Sequence, residues 1–145
     1  MLMAQVLFMR TTSGAPYGEI IELARRIWAG GRLLEGEGAD SPTLWTVVGS
    51  LSWADAYAPA LDAIELALAN AENRGLALAY ARGRYARAWP NYWMGQIAEA
   101  AVDARAAIEI WAGGLETYLP AAIYWFALAQ LELGDVGAAE RALAR

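Results

Sequence analysis

Acidic side chains are the first candidates for chemistry in this sequence. Glu19 and Glu22, and Glu99 and Asp103, stand three or four residues apart, which places each pair on one face of a helix. Acid–base catalysis needs two such groups held in different environments. These carboxylates fall on faces that should point outward, so they read as solvated surface. The run Glu35-Gly36-Glu37-Gly38-Ala39-Asp40 is rich in oxygen ligands but lacks the alternating spacing of a calcium loop. It reads as a solvated loop. The stretch from Gly75 to Arg84 (GLALAYARGR) carries no phosphate-loop pattern. The chain has neither histidine nor cysteine, which removes the commonest general base, the thiolate nucleophile, the usual zinc ligands and any disulfide. Nothing assembles a nucleophile, a base and an orienting group. The expectation is a non-enzymatic chain with no catalytic residue, no metal site and no cofactor.

Composition narrows the class further. The chain has 145 residues, enough for one domain with a substantial core. Apolar residues make up 58% and are mainly Ala and Leu, with little β-branching, which favours helices. Charged residues are only 19%, so part of the surface is expected to be covered. The net charge of −5 has the wrong sign for a nucleic-acid surface. The longest apolar run, Tyr118–Gln130, is too short to span a bilayer and contains Pro120. The opening MLMAQVLFMR lacks a basic region before its apolar stretch and does not read as a signal peptide. A cytoplasmic location with no membrane contact is expected.

The elements that must position any site follow from an internal repeat. Segments starting at Ala15 (APYGEIIELARRI), Asp55 (DAYAPALDAIELA), Gly95 (GQIAEAAVDARAA) and Gly134 (GDVGAAERALAR) align with starts 40, 40 and 39 residues apart. Apolar or small residues recur at Ile20, Ala60, Ala100 and Ala139, then at Ala24, Ile64, Ala104 and Leu143, then at Ile27, Ala67 and Ala107. Offsets of three and four mark one helix face, and alanines there permit close approach of a neighbour. Glycines at Gly30-Gly31, Gly75 and Gly113-Gly114 read as helix stops. Before each anchor lies another apolar segment, roughly Leu2–Arg10, Pro42–Trp53, Leu76–Met94 and Leu119–Leu133. Ser41-Pro42 reads as a cap followed by a first-turn proline, and Thr117 with Pro120 similarly. Pro90 falls inside a helical pattern and should kink or end it. The fold class is all-α: about eight helices in four antiparallel hairpins of period about 40, forming a single domain over residues 1–145. The longest link is GGRLLEGEGADSP.

The anchors at Gly95 (Gly95-Gln96-Ile97, Ala100, Ala104, Ala107) and Gly134 (Gly134-Asp135-Val136, Ala139, Leu143) resemble the second half of a tetratricopeptide (TPR) repeat, although the period exceeds the roughly 34 residues of that repeat. The chain thus looks like a TPR-like α-solenoid. Over about residues 17–145, the stretches ELARRIWAGGRLLEGEGADSPTLW, YAPALDAIELALANAENRG, GQIAEAAVDARAAIEIW and LAQLELGDVGAAERAL resemble the helical-repeat region of large ATP-binding LuxR-family regulators of actinobacteria. In such regulators that region lies between an ATPase and a helix-turn-helix. This chain has neither the GxxxxGK[ST] loop nor a helix-turn-helix, so ATP hydrolysis and direct DNA contact do not carry over. The resemblance implies a sensing and protein-contact role.

It also implies that the first helix of each hairpin lines a groove. Counting back ten residues from each anchor gives Gln5, Trp45, Tyr85 and Tyr124; six gives Met9, Gly49, Trp89 and Leu128; two gives Ser13, Trp53, Trp93 and Glu132. An aromatic column through Trp45, Tyr85 and Tyr124, widened by Trp53, Trp89 and Trp93 with Arg82 at its edge, is the expected ligand or partner groove. It suits a protein segment or a flat small effector. The competing reading makes these rings core. Arg84 and Arg87 disturb the register, since both occupy positions that should pack inward. The crowding of Leu2, Met3, Val6, Leu7, Phe8 and Met9 in the first segment reads as an end that is either cut from a longer regulator or paired with a second copy through the terminal repeats. The alternative to the scaffold is a small helical enzyme or ligand carrier using an aromatic-lined cavity.

Overall fold

The computed structural model describes residues 2–112 and 118–144, all of them in helices or short connections. Nine α-helices are present among the described residues: α1 (Leu2–Thr12), α2 (Tyr17–Trp28), α3 (Arg32–Glu37), α4 (Pro42–Trp53), α5 (Tyr57–Asn73), α6 (Ala77–Trp93), α7 (Ile97–Trp111), α8 (Leu119–Glu132) and α9 (Val136–Leu143). Eight pair as the four expected hairpins, α1/α2, α4/α5, α6/α7 and α8/α9, so the fold is all-α and built on the repeat. None of these helices is long and apolar enough to cross a membrane. The stop at Gly113-Gly114 and the cap at Thr117 lie outside the described residues.

All four hairpin turns share one geometry. A residue with positive φ follows the first helix at Gly14 (75°), Asp55 (56°), Gly95 (79°) and Gly134 (82°). The next N–H then reaches back five residues: Ala15 to Arg10 (3.0 Å), Ala56 to Leu51 (2.9 Å), Gln96 to Asn91 (2.8 Å) and Asp135 to Gln130 (2.9 Å). This is a left-handed C-terminal cap, and it reverses the chain within three or four residues. Glycine is at ease there. Asp55 is not, and its carboxylate is held by the Tyr57 hydroxyl at 2.6 Å. That bond and partial burial raise the Tyr57 pKa to about 12, burial being the larger cause.

The chain forms two compact units, residues 1–76 and 77–145. In the first, α4 packs on α1, α2 and α5. Leu7, Ile20, Ala24, Val47, Leu51, Ala56 and Ala60 form one cluster there. One local detail differs from expectation. The link before α4 is not structureless, because α3 occupies Arg32–Glu37 and buries Leu34. Ser41 caps α4 as expected, accepting the Leu44 N–H at 3.1 Å, and its hydroxyl also donates to Glu37 at 2.5 Å. Donation from Ser41, then from Thr43, holds the Glu37 carboxyl below its ordinary pKa.

In the second unit α7 lies between α6 and α8, and α9 packs on α8. Ala100, Ala104 and Ala107 are fully buried. Ala104 shares a cluster with Ala88 of α6 and Trp125 of α8, and Ala107 with Ala81 and Ala122. Small side chains are what bring three helices this close. Pro90 does not end α6, which runs on to Trp93. Only one further turn follows the proline, so the cost is confined to the bond the missing N–H would have made to Ala86.

Candidate functional site

The helices of the second unit gather most of the aromatic side chains. Tyr85 lies 5.7 Å from Trp111 and 6.2 Å from Tyr118, centroid to centroid, and the Arg82 guanidinium sits 4.9 Å over the Tyr118 ring. One turn further along, Trp89 stacks on Trp125 at 5.8 Å with 20° between the planes. Trp125 also meets Tyr92 (5.6 Å) and Tyr124 (5.1 Å, edge to face). At the end of α6, Tyr92 stands perpendicular to Trp93 at 5.5 Å, and its hydroxyl donates to Glu132 at 3.3 Å. Positions on α6 and α8 thus rise together, 85 with 118, 89 with 125, and 92 with 132. The two helices run in the same direction and present a ribbon of rings between Arg82 and Glu132. At 1.5 Å per residue this ribbon is about 16 Å long.

Burial sorts the seven sequence-derived residues into three groups. Trp45 is core: it is 6% exposed, and its indole N–H donates to the Ala39 carbonyl at 2.8 Å under the α3–α4 connection. It is therefore withdrawn from the groove. Tyr85, Trp89 and Arg82 are half-buried and pack as walls of the ribbon. Burial raises the Tyr85 pKa, with the neighbouring Tyr118 adding to the shift and Arg82 opposing it. Trp53, Trp93 and Tyr124 are open, at 63%, 60% and 53% exposure. Of these, Arg82, Tyr85, Trp89, Trp93 and Tyr124 belong to the second unit, and Trp45 and Trp53 to the first. The ribbon also includes Tyr92, Tyr118 and Trp125, which the ten-, six- and two-residue offsets do not reach. Trp125 adjoins Tyr124 in sequence, and one residue of helix turns a side chain by about 100°, enough to exchange the inward ring for the outward one.

The carboxylate Asp103 is a correction. Expected on a solvated face, it is 2% exposed at the α6–α7 contact. Arg87 grips it with two bonds of 2.8 Å, from Nε to Oδ2 and from Nη2 to Oδ1. Asn91 Nδ2 donates to Oδ2 at 3.2 Å. Arg84 Nε lies 2.8 Å from Oδ1 as an ion pair without an aligned N–H bond. Arg84, Arg87 and Asn91 follow the i, i+3, i+7 spacing of one helix face, which explains how two arginines occupy inward positions. A signal for this was present. Asp103 lies between Ala100, Ala104 and Ala107 in the packing stripe, at the position held by Leu23, Ala63 and Ala142 in the other copies. An acid in that stripe requires cations opposite it. Both oxygens are engaged, so Asp103 serves packing rather than proton transfer.

A separate surface cleft of about 280 Å³ lies among α7, α8 and α9, floored by Ile108, Ile123 and Phe126 and edged by Arg105, Glu109 and Arg141. It contains none of the sequence-derived residues. Among the described residues no three His, Cys, Asp or Glu side chains gather as metal ligands would.

No family model, curated protein or solved structure matches this chain.

Proposed function

We propose that the chain is a non-catalytic interaction module that holds a protein segment or a flat small effector against the first helices of its hairpins. The observation that carries this reading is the repeated exposure of one indole. Trp53 and Trp93 end α4 and α6 at equivalent places in the repeat, and each leaves about three-fifths of its surface in water. Tryptophan is among the residues most used as interface anchors, because it buries a large rigid area and keeps one polar donor. Beside Trp93 the ribbon supplies stacked rings, a cation at one end in Arg82 and an acid at the other in Glu132. The partner we propose is apolar and planar or ring-bearing, with charge at its ends.

The setting we propose is the sensing and contact region of a cytoplasmic transcriptional regulator, and its support is the sequence resemblance over about residues 17–145. Nucleic acid is not the proposed ligand, given the net charge of −5. A small helical enzyme or carrier is disfavoured because the one deeply buried acid among the described residues, Asp103, is ion-paired with Arg84 and Arg87.

Selection of a random peptide phage library on the immobilised chain tests the proposal, together with a thermal-shift screen of aromatic carboxylates and amines. Binders are expected whose affinity falls when Trp93 is replaced by Ala. Binders indifferent to both Trp93→Ala and Trp53→Ala would overturn the assignment of the surface.

A further inference from the structure

The same docking contact occurs in both units, and its two halves recur unpaired elsewhere in the chain. Aligning the first helices of the hairpins on their ends, Thr12, Trp53 and Glu132, places Thr43, Val47 and Ser50 of α4 opposite Ala122, Phe126 and Ala129 of α8. This stripe docks each helix onto the hairpin before it. Val47 packs with Leu7, Ile20 and Ala24, and Ala129 with Ala100 and Ala101. The equivalent stripe of α1 is Leu2, Val6 and Met9, and it is 46–76% exposed. The receiving half behaves likewise. Tyr85, Tyr92 and Ala104 of α6/α7 receive α8, and Ala4, Thr11 and Ala24 are their equivalents in α1/α2. In α8/α9 the equivalents are Tyr124, Leu131 and Leu143, exposed by 53%, 48% and 63%.

We propose that these two faces bind each other between copies of this chain, the α1 stripe of one copy seating on the α8/α9 face of the next. A second copy is the occupant because it brings the same stripe, at the same helical spacing, that fills the same receiving face twice within the chain. Both faces are apolar, the docking stripe carrying Leu, Val and Met and the receiving face Tyr and two Leu. The contact is heterologous, so each copy keeps one free half and association continues by addition. The receiving face shares Tyr124 with the aromatic ribbon, so the test variants are placed at Met9 and Leu143, which lie outside the ribbon.

Sedimentation velocity of the full chain across a wide concentration range, with one charge placed on each face, tests the proposal. The wild-type mass is expected to rise with concentration past that of a dimer. Met9→Glu and Leu143→Glu each bury a charge against an apolar partner and should weaken self-association roughly a hundredfold or more. Mixed together, the two variants retain one intact pair of faces and should form a 1:1 heterodimer that grows no further. A wild-type chain monomeric throughout would overturn the proposal. So would wild-type association by either variant alone, or a mixture that stays monomeric. Circular dichroism establishes that each variant folds, and Leu2→Glu with Leu131→Glu repeats the test at second positions on the same faces.

Discussion

Asp103 and the two arginines that share it form a buried charged contact that is costly to break. A carboxylate at 2% exposure is tolerated only because Arg87, Arg84 and Asn91 surround it. Removing it takes the shared carboxylate from two guanidiniums that are themselves only 17–20% exposed. Asp103→Ala is expected to lose on the order of 3 kcal/mol in chemical denaturation, and Asp103→Asn less, since the amide keeps the shape and one acceptor. An unchanged midpoint for Asp103→Ala would show that the arginines find water instead. A second residue-scale device is Ser41, which caps α4 and donates to Glu37. Ser41→Ala should lose about 1 kcal/mol through the cap alone. Glu37 titrates below its ordinary value in the folded state, so the folded chain binds fewer protons than the unfolded one around that pH. Its contribution is present above the unfolded pKa of about 4.3 and is lost as pH falls through the folded value. Acid melting curves of Glu37→Gln should therefore be flatter than wild type below about pH 5 and parallel to it near neutrality.

Helices and turns were the most legible level. The α4 span coincides with Pro42–Trp53, and the others end within a residue or two of their expected limits, because glycine anchors and alanine stripes carry the repeat. Two element-scale predictions follow from those features. Ala104, enclosed by Ala88 and Trp125, has no room for a larger side chain, and Ala104→Leu should cost about 1–3 kcal/mol by overpacking. Gly95→Ala tests the turn separately. A methyl there meets no neighbouring atom, so the expected loss of about 1–2 kcal/mol comes from the positive φ alone. Thermal melts of both variants measure these losses. Less legible was α3, since Arg32–Glu37 has no counterpart among the described residues of the other copies and is too short for a helical period to register. The inward turn of Asp103 escaped because the stripe was read by its alanines and not by the position between them. Trp45 escaped for a different reason: its burial depends on the α3–α4 connection folding over it, with the indole N–H bonded to the Ala39 carbonyl.

At the scale of the whole molecule the repeat does two things. It supplies the paired faces proposed to join copies, and it returns an indole to the surface at Trp53 and again at Trp93. The aromatic site was legible in part. The recurrence of rings located the surface, but the offsets admitted Trp45, which is core, and passed over Tyr92, Tyr118 and Trp125, which complete the ribbon. Tyr85 is consequently a poor probe of binding. It packs against Trp111 and Tyr118, and its truncation to Ala should lower stability by about 2–4 kcal/mol whether or not anything binds there. Trp93 packs against Tyr92 at one edge and is otherwise open, so it separates binding from folding. The most direct measurement is calorimetric titration of the chain and of Trp93→Ala with the tightest peptide recovered by selection, beside thermal melts of both proteins. We expect an affinity loss of about 2 kcal/mol or more, roughly thirtyfold, with the melting temperature close to wild type. Equal affinity for both proteins, or a loss of binding that only accompanies a loss of folding, would contradict the account.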